Sequence, residues 1–265
     1  MTVSLTLNHD LAYITLDNPE KHNAFDNTII ELLIQAFNDA SSNDQVRIIL
    51  LSANGKHFSA GADLSWMKRM GELDYEQNLA DSLRLAELMS TIDRAGKPVI
   101  CRIQGAAFGG ALGLICACDI AIASNDARFC LSEVKLGILP AVISPYVVRA
   151  IGARQAQRYF MSAEVISAAV AERLGIVHEQ VPSDQLDSRI QAIIVALRQG
   201  APKAQLKSRD LIEAVSARPI DTHVIHHTAE LIAALRTADE GREGLGAFLE
   251  KRPAHWSIQT GADND

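Results

Sequence analysis

Apolar and polar residues alternate from Val3 through Leu5 and Leu7, then through Leu11, Tyr13 and Thr15, which predicts a hairpin with Asn8-His9-Asp10 at its turn. After Asp26 the period changes. Ile29, Ile30, Leu32, Leu33, Ala36 and Phe37 fall at helical spacing, with Asp26 placed to cap the first turn. Unbroken apolar runs at Ile48–Ala53 and Pro98–Ile103 predict buried strands. Between them a long helix runs through Leu83, Leu85, Leu88 and Met89 to Ile92; Asp93 and Arg94 read as solvated residues of its last turn, and Gly96-Lys97-Pro98 closes it. A small-residue turn, Gly105 to Gly110, then leads into a short packed helix over Ala111–Cys118. Asp119–Ala123 reads as a further strand, and Phe129–Leu131 as a continuation of the same sheet. Helices follow at 145–161, with Pro145 in the first turn, and at Ile166–Leu174, stopped by Gly175; Ile176-Val177 suggests a last short strand. Strand, loop, helix and strand in this order predict an α/β core with right-handed crossovers.

From Ser183 onward strand patterns disappear. Helical spacing dominates over Leu186–Leu197, Ala204–Val215, Thr222–Ala238 and Glu240–Phe248, so the chain divides into an α/β core over 1–198 and a helical region over 199–265. The end, Gly261 to Asp265, reads as a disordered tail. A length of 265 residues suits one main core with an appendage. The net charge of −7 and the lack of any Lys/Arg block argue against a nucleic-acid partner. No apolar run reaches membrane-spanning length and the start of the chain lacks a signal-peptide pattern, so the expectation is a cytoplasmic protein with no membrane partner. Cys101, Cys116, Cys118 and Cys130 all lie in apolar surroundings without a Cys-x-x-Cys pair, which predicts buried free thiols rather than a disulfide or a metal site.

Candidate chemistry gathers at two strand-to-loop junctions. At Gly109-Gly110 the missing side chains let a ligand oxygen approach backbone N–H groups at the first turn of a helix. A second small-residue loop, Phe58-Ser59-Ala60-Gly61-Ala62-Asp63-Leu64, follows the strand at Ile48, so two N–H groups have the means to converge on one carbonyl oxygen. Glu133, at the start of the loop ending in Pro140, taken alone reads as a surface or capping residue.

These three blocks, Ser59 to Asp63, Gly105 to Gly110 with Cys118-Asp119-Ile120, and Phe129 to Pro140 with Glu133, resemble the enoyl-CoA hydratase/isomerase (crotonase) superfamily in order and spacing, over about residues 3–255. The resemblance implies a crotonase-like core of repeated ββα units with a C-terminal helical oligomerisation region, and homotrimers often paired into hexamers. It implies that the backbone N–H groups of Ala62 and Gly110 hold a thioester oxygen and that Glu133 moves a proton. It also sets Lys21, His22, Asn23 and Ala24, with Ala60, Asp63 and Leu64, against coenzyme A, although a solvated loop serves equally well for Lys21 and His22. Asp119 matches a structural position. Where the two-glutamate hydratases carry their other acid, this chain has Gly113.

A narrower likeness runs through Gly61 to Met67, Phe108 to Leu114, Phe129 to Val134 and Pro140 to Pro145. These stretches resemble the bacterial methylglutaconyl-CoA hydratases of leucine breakdown and the related hydratases of acyclic terpene breakdown. Such substrates carry a free carboxylate, for which Lys68, Arg69 and Ser144 are candidate partners. Trp66 and Met67 are expected to line the acyl pocket, and Gly113 to leave space for the substrate or its water. Two other readings stay open: an enoyl-CoA isomerase, for which one glutamate suffices, and a non-catalytic or RNA-binding relative. No metal or redox cofactor is expected; coenzyme A would enter as part of the substrate.

Overall fold

A computed structural model describes residues 2–257. The alternating N-terminal segment forms the antiparallel pair β1 (Val3–Asn8) and β2 (Leu11–Leu16), and Asp26 accepts the Ile29 N–H at 3.1 Å to cap α1 (Asn27–Ser42). The run at Ile48 is β3 (Ile48–Ala53). It is followed by α2 (Leu64–Met70) and α3 (Tyr75–Asp93), the latter opened by a reciprocal cap between Asp74 and Gln77. Next come β4 (Val99–Ile103), β5 (Ala106–Phe108), α4 (Ala111–Ala117), β6 (Ile120–Ser124) and β7 (Arg128–Cys130). The core closes with α5 (Ser144–Ser162), β8 (Ile166–Ser167), α6 (Ala168–Leu174) and β9 (Glu179–Val181).

Six strands form one sheet in the order β1-β2-β3-β4-β6-β9, parallel throughout except at the hairpin. Its central strands read as continuous apolar runs because they are covered on both faces; Ile49, Leu51, Val99 and Cys101 are buried on one face and Ile48, Leu50 and Ile100 on the other. Asp119 ties the N-terminal end of β4 in place by accepting the Val99 N–H at 2.8 Å.

A second, three-stranded sheet, β5-β7-β8, departs from the sequence expectation. Phe129–Leu131 does not continue the main sheet: β7 pairs with β5 and β8. The turn expected from Gly105 to Gly110 contains β5, and Ile166 lies on β8 before α6 begins. These strands are too short for two-residue alternation to show, so their pairing is set by the chain on either side. Ile176 and Val177 are buried in the turn after α6 and the strand itself comes later, at β9. Helix α5 is broken at Gly152, whose φ of 74° leaves the helical region. Asp93 is not merely solvated; it pairs with Arg149 of α5.

Beyond β9 the chain is helical: α7 (Leu186–Gln199), α8 (Pro202–Val215), α9 (Thr222–Thr237) and α10 (Asp239–Leu249). Two compact units divide between Ile190 and Gln191, inside α7, whereas the composition shift marks residue 198. Composition records where strands end, while Leu186 and Ile190 on the first turns of α7 are still buried. Within the second unit, Arg252 bridges Glu243 and Glu250, and its guanidinium holds the Glu243 carboxyl at about 2. The tail expected at Gly261 to Asp265 lies outside the described residues. Among the described residues no helix is long and apolar enough to cross a membrane.

Candidate functional site

Two loops meet where β3 and β5 deliver them. Ser59 and Ala107 form a parallel bridge, with Ser59 N–H donating to Ala106 C=O at 3.1 Å and Phe108 N–H to Ser59 C=O at 3.0 Å. One turn further, a Cβ on Gly61 would lie 2.7 Å from the Phe108 carbonyl oxygen and 3.7 Å from Gly109 Cα, so only glycine allows this approach. Both glycines also take left-handed backbone, with φ of +88° at Gly61 and +55° at Gly109. The residue after each of them is the one whose N–H matters.

Ala62 is bridged to Phe25 in parallel fashion: Phe25 N–H donates to Gly61 C=O and Asp63 N–H donates to Phe25 C=O, both at 2.9 Å. That register turns the Ala62 N–H away from Phe25. Gly110 caps the short α4, so its N–H precedes the helical ladder. Among the described residues neither N–H has a hydrogen-bond acceptor. The Phe25 ring packs over Gly110, where a Cβ would meet Cζ at 2.7 Å, so one residue braces both halves of the site. Nothing in the periodicity of the sequence singles out Phe25. Its place directly after the Lys21 to Ala24 loop was the only signal.

Glu133 opens a single helical turn, Glu133–Leu136, and its carboxyl lies beside the Gly109-Gly110 turn: Oε1 is 3.5 Å from where a Cβ on Gly109 would stand. Its Oε2 is buried with no hydrogen-bond partner among the described residues. Burial raises the Glu133 pKa above the usual carboxylate value, because it disfavours the charged form. A carboxyl with one unpartnered oxygen, its pKa raised by burial, next to two free N–H donors is an arrangement able to move a proton while charge builds on a carbonyl oxygen.

The residues expected around coenzyme A separate into two groups. Lys21, Ala24 and Asp63 line a cleft of about 180 Å³ with Asp26 and Ile29; Ala60 and His22 are exposed, and Leu64 is 79% exposed. Asp63 accepts the Ser65 and Trp66 N–H groups and pairs with Lys21 at 3.3 Å; the Trp66 N–H foremost, then Lys21 and the Ser65 N–H, hold its carboxyl below the usual range. Asn23, by contrast, is not free to meet a ligand. It is 1% exposed, donates both amide hydrogens to the Asn54 and His57 carbonyls at 2.8 Å, accepts the Asn18 N–H, and its carbonyl accepts the Ser59 hydroxyl. It is an internal strut, placed there by consecutive left-handed residues at His22 and Asn23. Asn23→Ala is expected to lower unfolding stability by about 3 kcal/mol, through two orphaned carbonyls and an orphaned N–H, as read by denaturant titration.

The pocket candidates also divide. Trp66 is buried and anchors α2 to α3 by donating Nε1–H to Asp81 at 3.0 Å, with its ring 6.5 Å from that of Phe25; Met67 is half-buried. Ser144 donates its hydroxyl back to Ala141 C=O at 2.8 Å. Gly113 does not open space. A Cβ there would meet Ile143 Cγ2 and lie 2.8 Å from both Ile143 Cβ and Met89 Sδ, so side chains from α3 and from the turn before α5 fill the volume. The four cysteines are buried thiols, and burial pushes Cys116 up to about 12.

The enoyl-CoA hydratase/isomerase family model matches residues 6–259. The chain is similar to a crystal structure of an enoyl-CoA hydratase from Shewanella pealeana, with 50% identity, coverage of 97% and 96% of the two chains and a TM-score of 0.94. It is 31% identical to the trans-2-decenoyl-[acyl-carrier-protein] isomerase of Streptococcus mutans, over 93% of this chain and 94% of that one. It is 29% identical to the 2,3-dehydroadipyl-CoA hydratase of Escherichia coli, over 90% and 92%. With two acceptor-free N–H groups, a glutamate with one buried, unpartnered oxygen and a family match over nearly its whole length, this chain belongs to the enoyl-CoA hydratase/isomerase (crotonase) family.

Proposed function

We propose that the protein is a hydratase that adds water across the double bond of 3-methylglutaconyl-CoA or a related isoprenoid glutaconyl-CoA thioester. The observation that carries the chemistry is the juxtaposition of the Glu133 carboxyl, one oxygen unpartnered, with the oxyanion turn at Gly109-Gly110. The thioester oxygen accepts hydrogen bonds from the Ala62 and Gly110 N–H groups, each worth roughly 3–4 kcal/mol to the transition state. Glu133 takes a proton from water as its oxygen bonds to the β-carbon, and returns it to the α-carbon as the enolate collapses. One carboxyl therefore serves twice, and water is added with no net change in the enzyme. Lys68 and Arg69, exposed on the last turn of α2, are the cations a substrate carboxylate would meet. The reading calls for no metal or redox cofactor, since coenzyme A arrives with the substrate. Trimers or hexamers are part of it; Ile212, Ile225, Ile232, Leu245 and Phe248 are exposed on α8–α10, which supports self-association through these helices.

A second reading, double-bond isomerisation, is favoured by the closed volume at Gly113, which leaves no place for another acid on α4. Turnover of 3-methylglutaconyl-CoA, crotonyl-CoA and a 3-enoyl-CoA decides between them. Hydration of the first at least tenfold more efficiently than the second is expected. Migration of the double bond without uptake of water would make the enzyme an isomerase.

A further inference from the structure

The segments carrying Ala62 and Gly110 are stitched together ahead of both N–H groups, at Phe58-Ser59 against Gln104 to Phe108. One bond of that seam comes from a titratable side chain: the Ala106 N–H, at the start of β5, donates to His57 Nδ1 at 3.0 Å. An imidazole nitrogen accepts only when it carries no proton, so this bond requires neutral His57 with its hydrogen on Nε2. The ring is held there from several sides. A Cβ on Gly105 would lie 2.7 Å from Nδ1, and the His57 carbonyl accepts from Asn23 Nδ2 at 2.8 Å.

We propose that His57 is a positioning residue whose unprotonated Nδ1 fastens β5 to the loop bearing Ala62, and whose protonation releases that fastening and loosens the alignment of the two oxyanion donors. A protonated ring would set N–H against N–H. The groups facing it oppose protonation: burial first, then the His22 ring, edge-on at 5.2 Å, and Lys56 hold His57 below the usual imidazole value. The sign follows. Because the folded protein favours the neutral ring, the fastening is fully present above the ordinary imidazole value and is lost as pH falls through the lower value of folded His57. Only its effect on turnover rests on the proposed function; the bond does not.

The test compares wild type, His57→Asn and His57→Phe by amide hydrogen exchange of residues 104–108, as protection factors corrected for intrinsic rate, at neutral and acid pH. Asparagine offers an acceptor oxygen near the Nδ1 position that does not titrate in this range; phenylalanine offers none. Wild type is expected to lose about five- to tenfold of its Ala106 protection on acidification. His57→Asn should keep protection at both pH values and carry its turnover to lower pH, leaving the acid limb set by Glu133. His57→Phe should lack the protection throughout. Equal Ala106 protection of wild type at both pH values, or superposable wild-type and His57→Asn profiles, would overturn the proposal. Protection behaving as expected in a protein that turns over no enoyl-CoA would instead overturn the proposed function and leave the fastening standing.

Discussion

Glu133→Gln should abolish hydration, lowering kcat by about 10²–10⁴-fold with little change in KM, because the amide keeps the shape of the carboxyl and loses the proton it moves. Steady-state kinetics on the preferred thioester check this, and an unchanged kcat would remove Glu133 from the chemistry. The same substitution carries an expectation about stability. Burial lifts the folded-state pKa of Glu133 above its unfolded value, so the folded state favours the protonated carboxyl. Its contribution to stability is therefore present at low pH and lost as pH rises through the raised value. Replacing it with a neutral amide should leave the protein as stable as wild type in acid and more stable at neutral pH, as read by denaturant midpoints. The rate of the His57→Asn enzyme, whose acid limb is left to the ionisation of Glu133, should correspondingly fall along a limb that lies above the ordinary carboxylate value.

Gly113→Glu is expected to destabilise the protein by about 3 kcal/mol or more and to add no hydratase activity. The new Cβ would enter the volume held by Ile143 Cγ2 and Met89 Sδ, and overpacking of that kind costs about 1–3 kcal/mol before the carboxylate is considered. Burying that charge without a partner adds a cost of similar size. Adding Ile143→Ala should recover part of the stability by vacating the contact. Denaturant titration of the single and double variants checks both statements. If Gly113→Glu alone melts like wild type, the closed volume at Gly113 is not real.

The candidate N–H loops were legible in the residues because they rest on local features. Small residues must stand where backbone N–H groups meet a ligand, and Gly61-Ala62 and Gly109-Gly110 show that requirement directly. Helix caps and buried parallel strands were equally local: Asp26 caps α1, and unbroken apolar runs become β3 and β4. The polar strut was not legible. Asn23 reads as one more loop residue, and only its contacts with Asn18, Asn54 and His57, the last two far off in sequence, show that it holds the site together.

By itself, then, the sequence determined the α/β class and the two small-residue loops, since periodicity and small-residue spacing are properties of neighbours along the chain, and the order and spacing of its three blocks carried the resemblance to the family and, through it, the candidate role of Glu133. The tertiary structure decided what distant residues do to one another. It assigned β7 to a second sheet, set Phe25 over Gly110, joined His57 to Ala106 and filled the volume beside Gly113 with Ile143 and Met89. Empty and occupied space look alike at a glycine in a sequence, because the atoms that fill it come from helices and turns tens of residues away.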